Sequence, residues 1–275
     1  MIVNRLIKLD KEPNQSAILW GARQTGKSTL LRQLYPHGLY YDLLKTDLYM
    51  RLLIRPALLR EELPPNARHV IIDEFQKIPL LLNEVHGLIE SRGIVFTLSG
   101  SSARRLKQTN THLLGGRALK KRLFGFSAKE LGETFNLQAT LSRGYLPSHQ
   151  NSENYREQLA AYVDDYLSEE IKNEGLVRNL PSFSGMVKTA AFSDGEIVNF
   201  STIARDIGVS SHTVREYFAI VEDTLMGHFV PAYQQQAKRR TQKSPKFYFS
   251  DVGIAECVNE NETLVVANYC ISTTV

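Results

Sequence analysis

Residues 21–28, with the sequence GARQTGKS, have the spacing of glycine, lysine and hydroxyl side chains that is typical of phosphate-binding loops. An apolar run that ends at Trp20 precedes them, and a helix-like stretch follows. Glycines let consecutive backbone N–H groups curl around phosphate oxygens, and the N-terminus of the following helix attracts the anion. We expect Lys27 to reach the β- and γ-phosphates and Ser28 to offer its hydroxyl to Mg²⁺. The predicted nucleotide contacts are Gly21, Ala22, Arg23, Gln24, Thr25, Gly26, Lys27, Ser28 and Thr29.

Residues 68–74 form an apolar, β-branched run that ends in two carboxylates, Asp73 and Glu74. The carboxyl end of a parallel strand is where α/β proteins bind their ligands. Asp73 is suited to hold Mg²⁺, directly or through water, and Glu74 to deprotonate the water that attacks the γ-phosphate. The alternative is a helix cap. The apolar run and the upstream loop favour the hydrolytic site.

Two further residues are candidates for contacts with the transferred phosphate. Ser99 follows the apolar strand 94–98 and is predicted to sense the γ-phosphate, although a plain Ser/Gly turn explains it too. Arg117 is the candidate transition-state arginine, acting in its own subunit or in a neighbouring one. The alternative for Arg117 is a solvated surface charge.

The elements that must position these residues alternate between strand and helix up to about residue 130. Strands are predicted around Ile18, at 39–42, at 68–74 and at 94–98, with 124–126 as a last edge strand. Helices are predicted at 45–61 and 80–90. This order predicts an α/β fold, in which a parallel sheet carries helices on both faces.

The second half of the chain predicts different elements. Residues 154–176 have an apolar helical stripe that suits a lid helix, and residues 200–215 have the layout of a helix-turn-helix. Segments 229–233 and 247–249 follow as strands of a wing, with a basic loop between them. The cations of this wing are Lys238, Arg239, Arg240, Lys243 and Lys246. Binding of DNA phosphates and contact with a protein partner both fit, and the second is slightly preferred.

Composition narrows the class of protein. The 275 residues are 43% hydrophobic and 23% charged, with a net charge of +4, which is ordinary for a globular protein and says little about partners. Only two cysteines occur, so no disulfide framework is predicted. No apolar run approaches the roughly 18 residues of a membrane span. The N-terminus is too charged for a secretion signal, so we expect a cytoplasmic protein without membrane contact.

Five stretches resemble prokaryotic AAA-type ATPases in which the core is followed by a helical lid, a winged helix and a domain of unknown function. They are residues 21–29, 70–75, 98–102, 115–127 and 246–253. The resemblance implies binding of ATP with Mg²⁺, hydrolysis, and the roles given above to Lys27, Ser28, Asp73 and Glu74. It also implies a core at 1–133, a lid at 134–190 and a winged helix at 191–250.

The family pattern would continue beyond Gly253 into a further domain that is often likened to restriction-type nucleases. Residues 256–275 resemble none of it and are too short to build that fold. We therefore expect 251–275 to be a truncated remnant, without nuclease activity, that forms an exposed tail with both cysteines.

Three functions remain open on these residues. The first is a Mg²⁺-dependent ATP hydrolase that acts as an ATP-driven switch, as a monomer or as a homo-oligomer. The second is a DNA-binding regulator for which ATP is a ligand. The third is an interaction protein that binds ATP but hydrolyses it poorly.

Overall fold

The computed structural model describes residues 3–102, 114–166, 177, 179–233 and 244–259. The chain divides into two compact units, Met1–Phe124 and Gly125–Val275. In the parts of the chain that are described, no helix is both long enough and apolar enough to cross a membrane.

The first unit alternates strands with helices, as predicted. Its elements are β1 (Ser16–Trp20), α1 (Lys27–Leu34), β2 (Leu39–Asp42), α2 (Thr46–Ile54), α3 (Leu58–Glu62), β3 (His69–Asp73), α4 (Leu81–Arg92), β4 (Val95–Gly100) and β5 (Ala118–Arg122). The single helix predicted at 45–61 is wrong, because α2 ends before Pro56. Proline disfavours the helical conformation at the residue before it, and Arg55 has φ −138° and ψ 83°.

The five strands form one sheet in the order β2-β3-β4-β1-β5, and every pairing is parallel. The prediction of a parallel α/β sheet is confirmed. Strand β1 is buried along its whole length, and Val70, Ile71 and Ile72 of β3 are fully buried, as expected for a sheet that is covered on both faces. Since right-handed crossovers connect parallel strands, α1 is expected on one face and α2–α4 on the other.

The edge strand differs from the prediction. Residues 124–126 are not a strand, and β5 is formed by Ala118–Arg122. Three consecutive cations, Lys120, Lys121 and Arg122, give this strand no apolar pattern, because an edge strand can expose most of its side chains to solvent.

The second unit is mainly helical. Its elements are α5 (Ala128–Leu131), α6 (Leu137–Arg143), α7 (Tyr155–Asp165), α8 (Leu180–Phe192), α9 (Phe200–Asp206), α10 (Ser211–Asp223), β6 (Gly227–Val230), β7 (Lys246–Phe249) and α11 (Val252–Asn259). Helix α7 occupies the first half of the predicted lid helix, and residues 167–176 lie outside the described residues.

Helices α9 and α10 lie where the sequence predicts a helix-turn-helix, and Gly208 takes the left-handed conformation (φ 70°) between them. Strands β6 and β7 pair in antiparallel fashion, and Ile197 forms an antiparallel bridge to Lys246 of β7. The cations predicted for the basic loop at 238–243 lie outside the described residues.

The core of this unit is aromatic. The rings of Phe218, Phe229 and Phe247 lie 4.8–5.3 Å apart from centre to centre and join α10 to both strands. Ile254 and Ala255 of α11 are buried in the same cluster. Residues Val252–Asn259 are therefore not an exposed tail, which corrects that expectation, and Cys257 packs partly buried against the cluster. Cys270 lies outside the described residues. The division into four domains stays a prediction.

Candidate functional site

The loop between β1 and α1 has the backbone geometry of an anion cradle. Gln24 and Gly26 have positive φ values, 61° and 88°, so the chain turns sharply before α1 begins at Lys27. Thr25 Oγ1 closes the turn by donating to the carbonyl oxygen of Ala22 at 2.8 Å. At Gly21 an added Cβ would lie 2.6 Å from the carbonyl oxygen of Leu123, so this position requires glycine.

Lys27 is buried, with 5% of its side chain exposed. Its ammonium group donates to the carbonyl oxygens of Gly21 at 2.9 Å and Ala22 at 3.1 Å, inside the loop. The same nitrogen lies 3.8 Å from Oε1 of Glu74. The lysine of the loop and the second carboxylate of the acidic pair are thus brought together, although they are far apart in sequence.

Asp73 ends β3 and is fully buried. Tyr40 donates its hydroxyl to Oδ2 at 2.5 Å, and Ser99 donates its hydroxyl to Oδ1. Burial, followed by the hydrogen bond to Asp73, raises the pKa of Tyr40, so this phenol keeps its proton. Each oxygen of the carboxylate therefore accepts from a side-chain hydroxyl.

Glu74 has a left-handed backbone conformation, with φ 58° and ψ 40°. This conformation is uncommon for a residue other than glycine, asparagine or aspartate, and it turns the chain at the carboxyl edge of the sheet. Oε2 accepts from Gln76 Nε2 at 2.5 Å and from Ser101 Oγ at 3.1 Å. Ser101 is the hydroxyl beside this carboxylate. Ser99, the predicted sensor of the γ-phosphate, is buried and donates to Asp73, and its role as a sensor stays a prediction.

Arg117 lies near the amino ends of β1 and β5, whereas the loop follows the carboxyl end of β1. The register pairs Ser16 with Ala118 and Trp20 with Arg122, so Arg117 precedes the start of β5 while the loop follows the end of β1. A strand of this length separates the two by about 15 Å. Arg117 donates instead to Oε1 of Glu90 at 2.5 Å. A role in its own subunit's site is wrong, and a role in a neighbouring subunit stays a prediction.

The structure adds a residue that sequence reasoning missed. Arg5 donates from Nη1 to the carbonyl oxygen of Thr25 at 2.8 Å, and from Nη2 to that of Phe124 at 2.5 Å. It therefore connects the N-terminal segment to the loop. No local pattern identifies Arg5, because its partners lie 20 and 119 residues away.

The side chains of the loop and of the acidic pair fit ATP and Mg²⁺. Ser28 is the second residue of α1, and Asp73 supplies a carboxylate with hydroxyls around it, so these two would hold the metal through oxygen ligands and waters. Within the described residues, no group of three or more His, Cys, Asp or Glu side chains forms a cage for a metal.

The second helix of the predicted helix-turn-helix, α10, carries both basic and acidic side chains. His212 lies 3.9 Å from Glu216 across one helical turn. The guanidinium of Arg215 stacks 4.1 Å above the ring of Phe200. This helix thus places the exposed, acidic Glu216 one turn from His212 and next to Arg215 in sequence.

Residues 13–132 match the family model described as an AAA domain. The N-terminal region is similar to AAA domains. With the loop and the acidic strand, this match supports an AAA-type P-loop ATPase region. Residues 134–264 match a second model, a domain of unknown function (DUF8612).

Two curated uncharacterized proteins, one from Mycobacterium bovis and one from Mycobacterium tuberculosis, are each 25% identical to this chain over 192 residues. The matched region covers 67% of this chain and 43% of each relative, so the chain spans less than half the length of these relatives. The solved structure of the Aeropyrum pernix ORC1 protein in complex with DNA is similar to this chain. The alignment covers 93% of this chain and 88% of the ORC1 chain. The identity is 13% and the TM-score 0.36.

Proposed function

We propose that the AAA-like region binds ATP with Mg²⁺ and hydrolyses it, and that the second unit uses this cycle as a switch. One observation carries the proposal: Lys27 Nζ lies 3.8 Å from Glu74 Oε1 at the carboxyl edge of the sheet. A cation suited to bind phosphate and a carboxylate suited to activate water meet there. Asp73, the residue before Glu74, ends strand β3 at the same edge.

The roles follow from the chemistry of each group. Lys27 neutralises charge on the β- and γ-phosphates, and the backbone N–H groups of the loop hold the phosphate oxygens. Glu74 accepts a proton from the attacking water. Ser28 and Asp73 hold Mg²⁺, which when bound neutralises charge that develops on the phosphates.

A lid and a winged helix in the second unit are part of this proposal. The order of α8, the Ile197 bridge, α9, α10, β6 and β7 supports a winged helix, since two helices are followed by a strand pair that the bridge extends. The pairing of His212 with Glu216 favours contact with a protein partner over contact with DNA phosphates. Self-association, with Arg117 acting on a neighbouring copy, remains part of the proposal.

The test compares ATP turnover in Lys27→Ala and Glu74→Gln with wild type. Lys27→Ala should lose both nucleotide binding and turnover. Glu74→Gln should bind ATP as wild type does, while turnover falls by about 100-fold or more, because a general base contributes about 10² to 10⁴. Lys45→Ala and Glu12→Gln, at exposed positions of the same unit, are the matched controls. Equal turnover in all the proteins would eliminate the proposal.

A second arm separates the alternatives. Turnover is measured across a protein concentration series, with and without duplex DNA at two salt concentrations. Tight ATP binding with negligible turnover in wild type would favour the hydrolysis-impaired interaction protein. Binding of duplex that weakens steeply with salt would favour the DNA-binding regulator. A rise in specific activity with concentration would support self-association.

A further inference from the structure

The side chain of Gln76 is the polar group closest to Glu74 that the phosphate-loop pattern does not explain. It follows Glu74 by two residues and is 5% exposed. Its Nε2 donates to Glu74 Oε2 at 2.5 Å and to Ser101 Oγ at 3.0 Å. Ser101 in turn donates to the same Oε2. One carboxylate oxygen is therefore held by two side chains that also contact each other.

The position of the Gln76 amide lowers the stability of the fold. Its Oε1 is buried without a hydrogen-bond partner in the described part of the chain, and a buried acceptor without a partner lowers stability. Gly100 leaves the space that the amide fills, because a Cβ there would lie 2.7 Å from Oε1 and 2.8 Å from the Trp20 ring. The wall behind the amide is thus largely apolar.

Rotating the amide by 180° does not remove this defect. It would place Oε1 against the carboxylate oxygen of Glu74, so that two acceptors would face each other. The orientation with Nε2 toward Glu74 is therefore the favoured one. A polar side chain that is retained at a cost in stability, and whose donors point to a reactive carboxylate, is the pattern of a functional residue.

We propose that Gln76 is a positioning residue for Glu74, and that Ser101 assists it. This inference rests on the proposed hydrolysis of ATP. With Oε2 held by both donors, Oε1 remains on the side of Lys27, at 3.8 Å, and is the oxygen that accepts the proton. The water O–H bond breaks as its proton passes to Oε1. The water oxygen bonds to the γ-phosphorus, and the bond from that phosphorus to the bridging oxygen breaks, releasing ADP.

The test uses the full chain with Gln76→Leu, which keeps the volume and removes the amide. Gln33→Leu, at an exposed position of α1, is the matched control. We expect kcat of Gln76→Leu to fall about 10- to 100-fold, as for other side chains that orient a functional group, with KM changed less than about twofold. The urea midpoint, followed by the fluorescence of Trp20, should stay equal or rise, because an acceptor without a partner is removed.

Two further variants keep the inference falsifiable. If Gln76→Leu does not fold, Ser101→Ala decides, with the same expected fall in kcat at constant KM. Adding Gln76→Leu to Glu74→Gln should lower turnover no further, because Gln76 acts through Glu74. Wild-type kcat in folded Gln76→Leu, or in Ser101→Ala when it must decide, overturns the inference alone, and so does an additional fall in the double variant. Absence of turnover in wild type overturns the proposed function and this inference together.

Discussion

Two buried aspartates, one in each unit, are held in opposite ways. Asp73 accepts from the hydroxyls of Tyr40 and Ser99. Asp251 accepts from backbone N–H groups, at 2.6 Å from Tyr145, 3.1 Å from Leu146 and 3.2 Å from Ile254. The first carboxylate has donors that can rotate, and the second has donors that are fixed by the chain.

This difference indicates different roles. A hydroxyl can turn its proton away and let the carboxylate face a metal or its water, so Asp73 is suited to ligand exchange. Asp251 cannot release its donors without moving the backbone. It connects the start of α11 to a turn that is more than 100 residues earlier, where Gly144 (φ 77°) leaves no room for a Cβ beside the carboxylate. We therefore regard Asp251 as structural.

Asp73→Asn should have the largest effect and should act on chemistry alone. Replacing one carboxylate oxygen by an amide nitrogen would weaken the proposed hold on Mg²⁺. We expect turnover to fall about 1,000-fold, equivalent to about 4 kcal/mol in the barrier. The urea midpoint reported by Trp20 should change little. Asp47→Asn, exposed on α2, is the control. Turnover within a few-fold of wild type would show that Asp73 is as structural as Asp251.

Asp251→Ala should act on stability alone. The backbone N–H groups that bond to this carboxylate lose their acceptor. We expect a loss of about 3–4 kcal/mol in the free energy of unfolding. The single tryptophan, Trp20, lies in the first unit, so its fluorescence should keep its transition while the circular dichroism of the helices shifts.

Asp206→Ala is the control for this change, since it removes an exposed carboxylate whose ion pair contributes at most about 1 kcal/mol. Equal shifts in Asp206→Ala and Asp251→Ala would contradict the structural role.

The same contrast shows what the sequence could reveal. Asp73 and Glu74 were predictable because an apolar strand ends in them, and because parallel strands bring their carboxyl ends to one edge. The position of Arg117 relative to the loop was not predictable. It depends on β5, and the charged residues of β5 do not have the apolar pattern of a strand. The role of Asp251 depends on partners more than 100 residues away, and no local pattern encodes such a contact.

The pH dependence of stability provides a smaller effect of known sign. Burial, only partly offset by its backbone hydrogen bonds, raises the pKa of Asp251 from 3.8 to about 6. Between these values the folded protein keeps a proton that the unfolded chain has lost. The free energy of unfolding should therefore fall as pH rises from 4 to 6, by about 2–3 kcal/mol from this group.

The measurement is the urea midpoint by circular dichroism across this pH range, in wild type and in Asp251→Asn. His149 titrates in both proteins with a pKa that burial lowers, and its contribution has the opposite sign. The difference between the two curves isolates Asp251. Parallel curves would show that this carboxylate does not hold its proton.

Tyr40→Phe tests the hydroxyl shell of Asp73 with the smallest expected effect. The change removes the hydroxyl that donates to Oδ2 and that also interacts with Arg32. Ser99 stays on Oδ1, so the carboxylate keeps one donor and its charge. Loss of a group that orients a metal ligand typically lowers metal affinity about 10-fold or more. The Mg²⁺ concentration for half-maximal turnover should therefore rise about 10-fold. Tyr41→Phe, next along β2, is the control.

If the hydroxyls were as fixed to Asp73 as the backbone is to Asp251, Tyr40→Phe would instead lower the urea midpoint and leave the Mg²⁺ dependence unchanged. An increase in the Mg²⁺ requirement at constant midpoint would thus separate a carboxylate arranged for ligand exchange from one arranged to hold the chain.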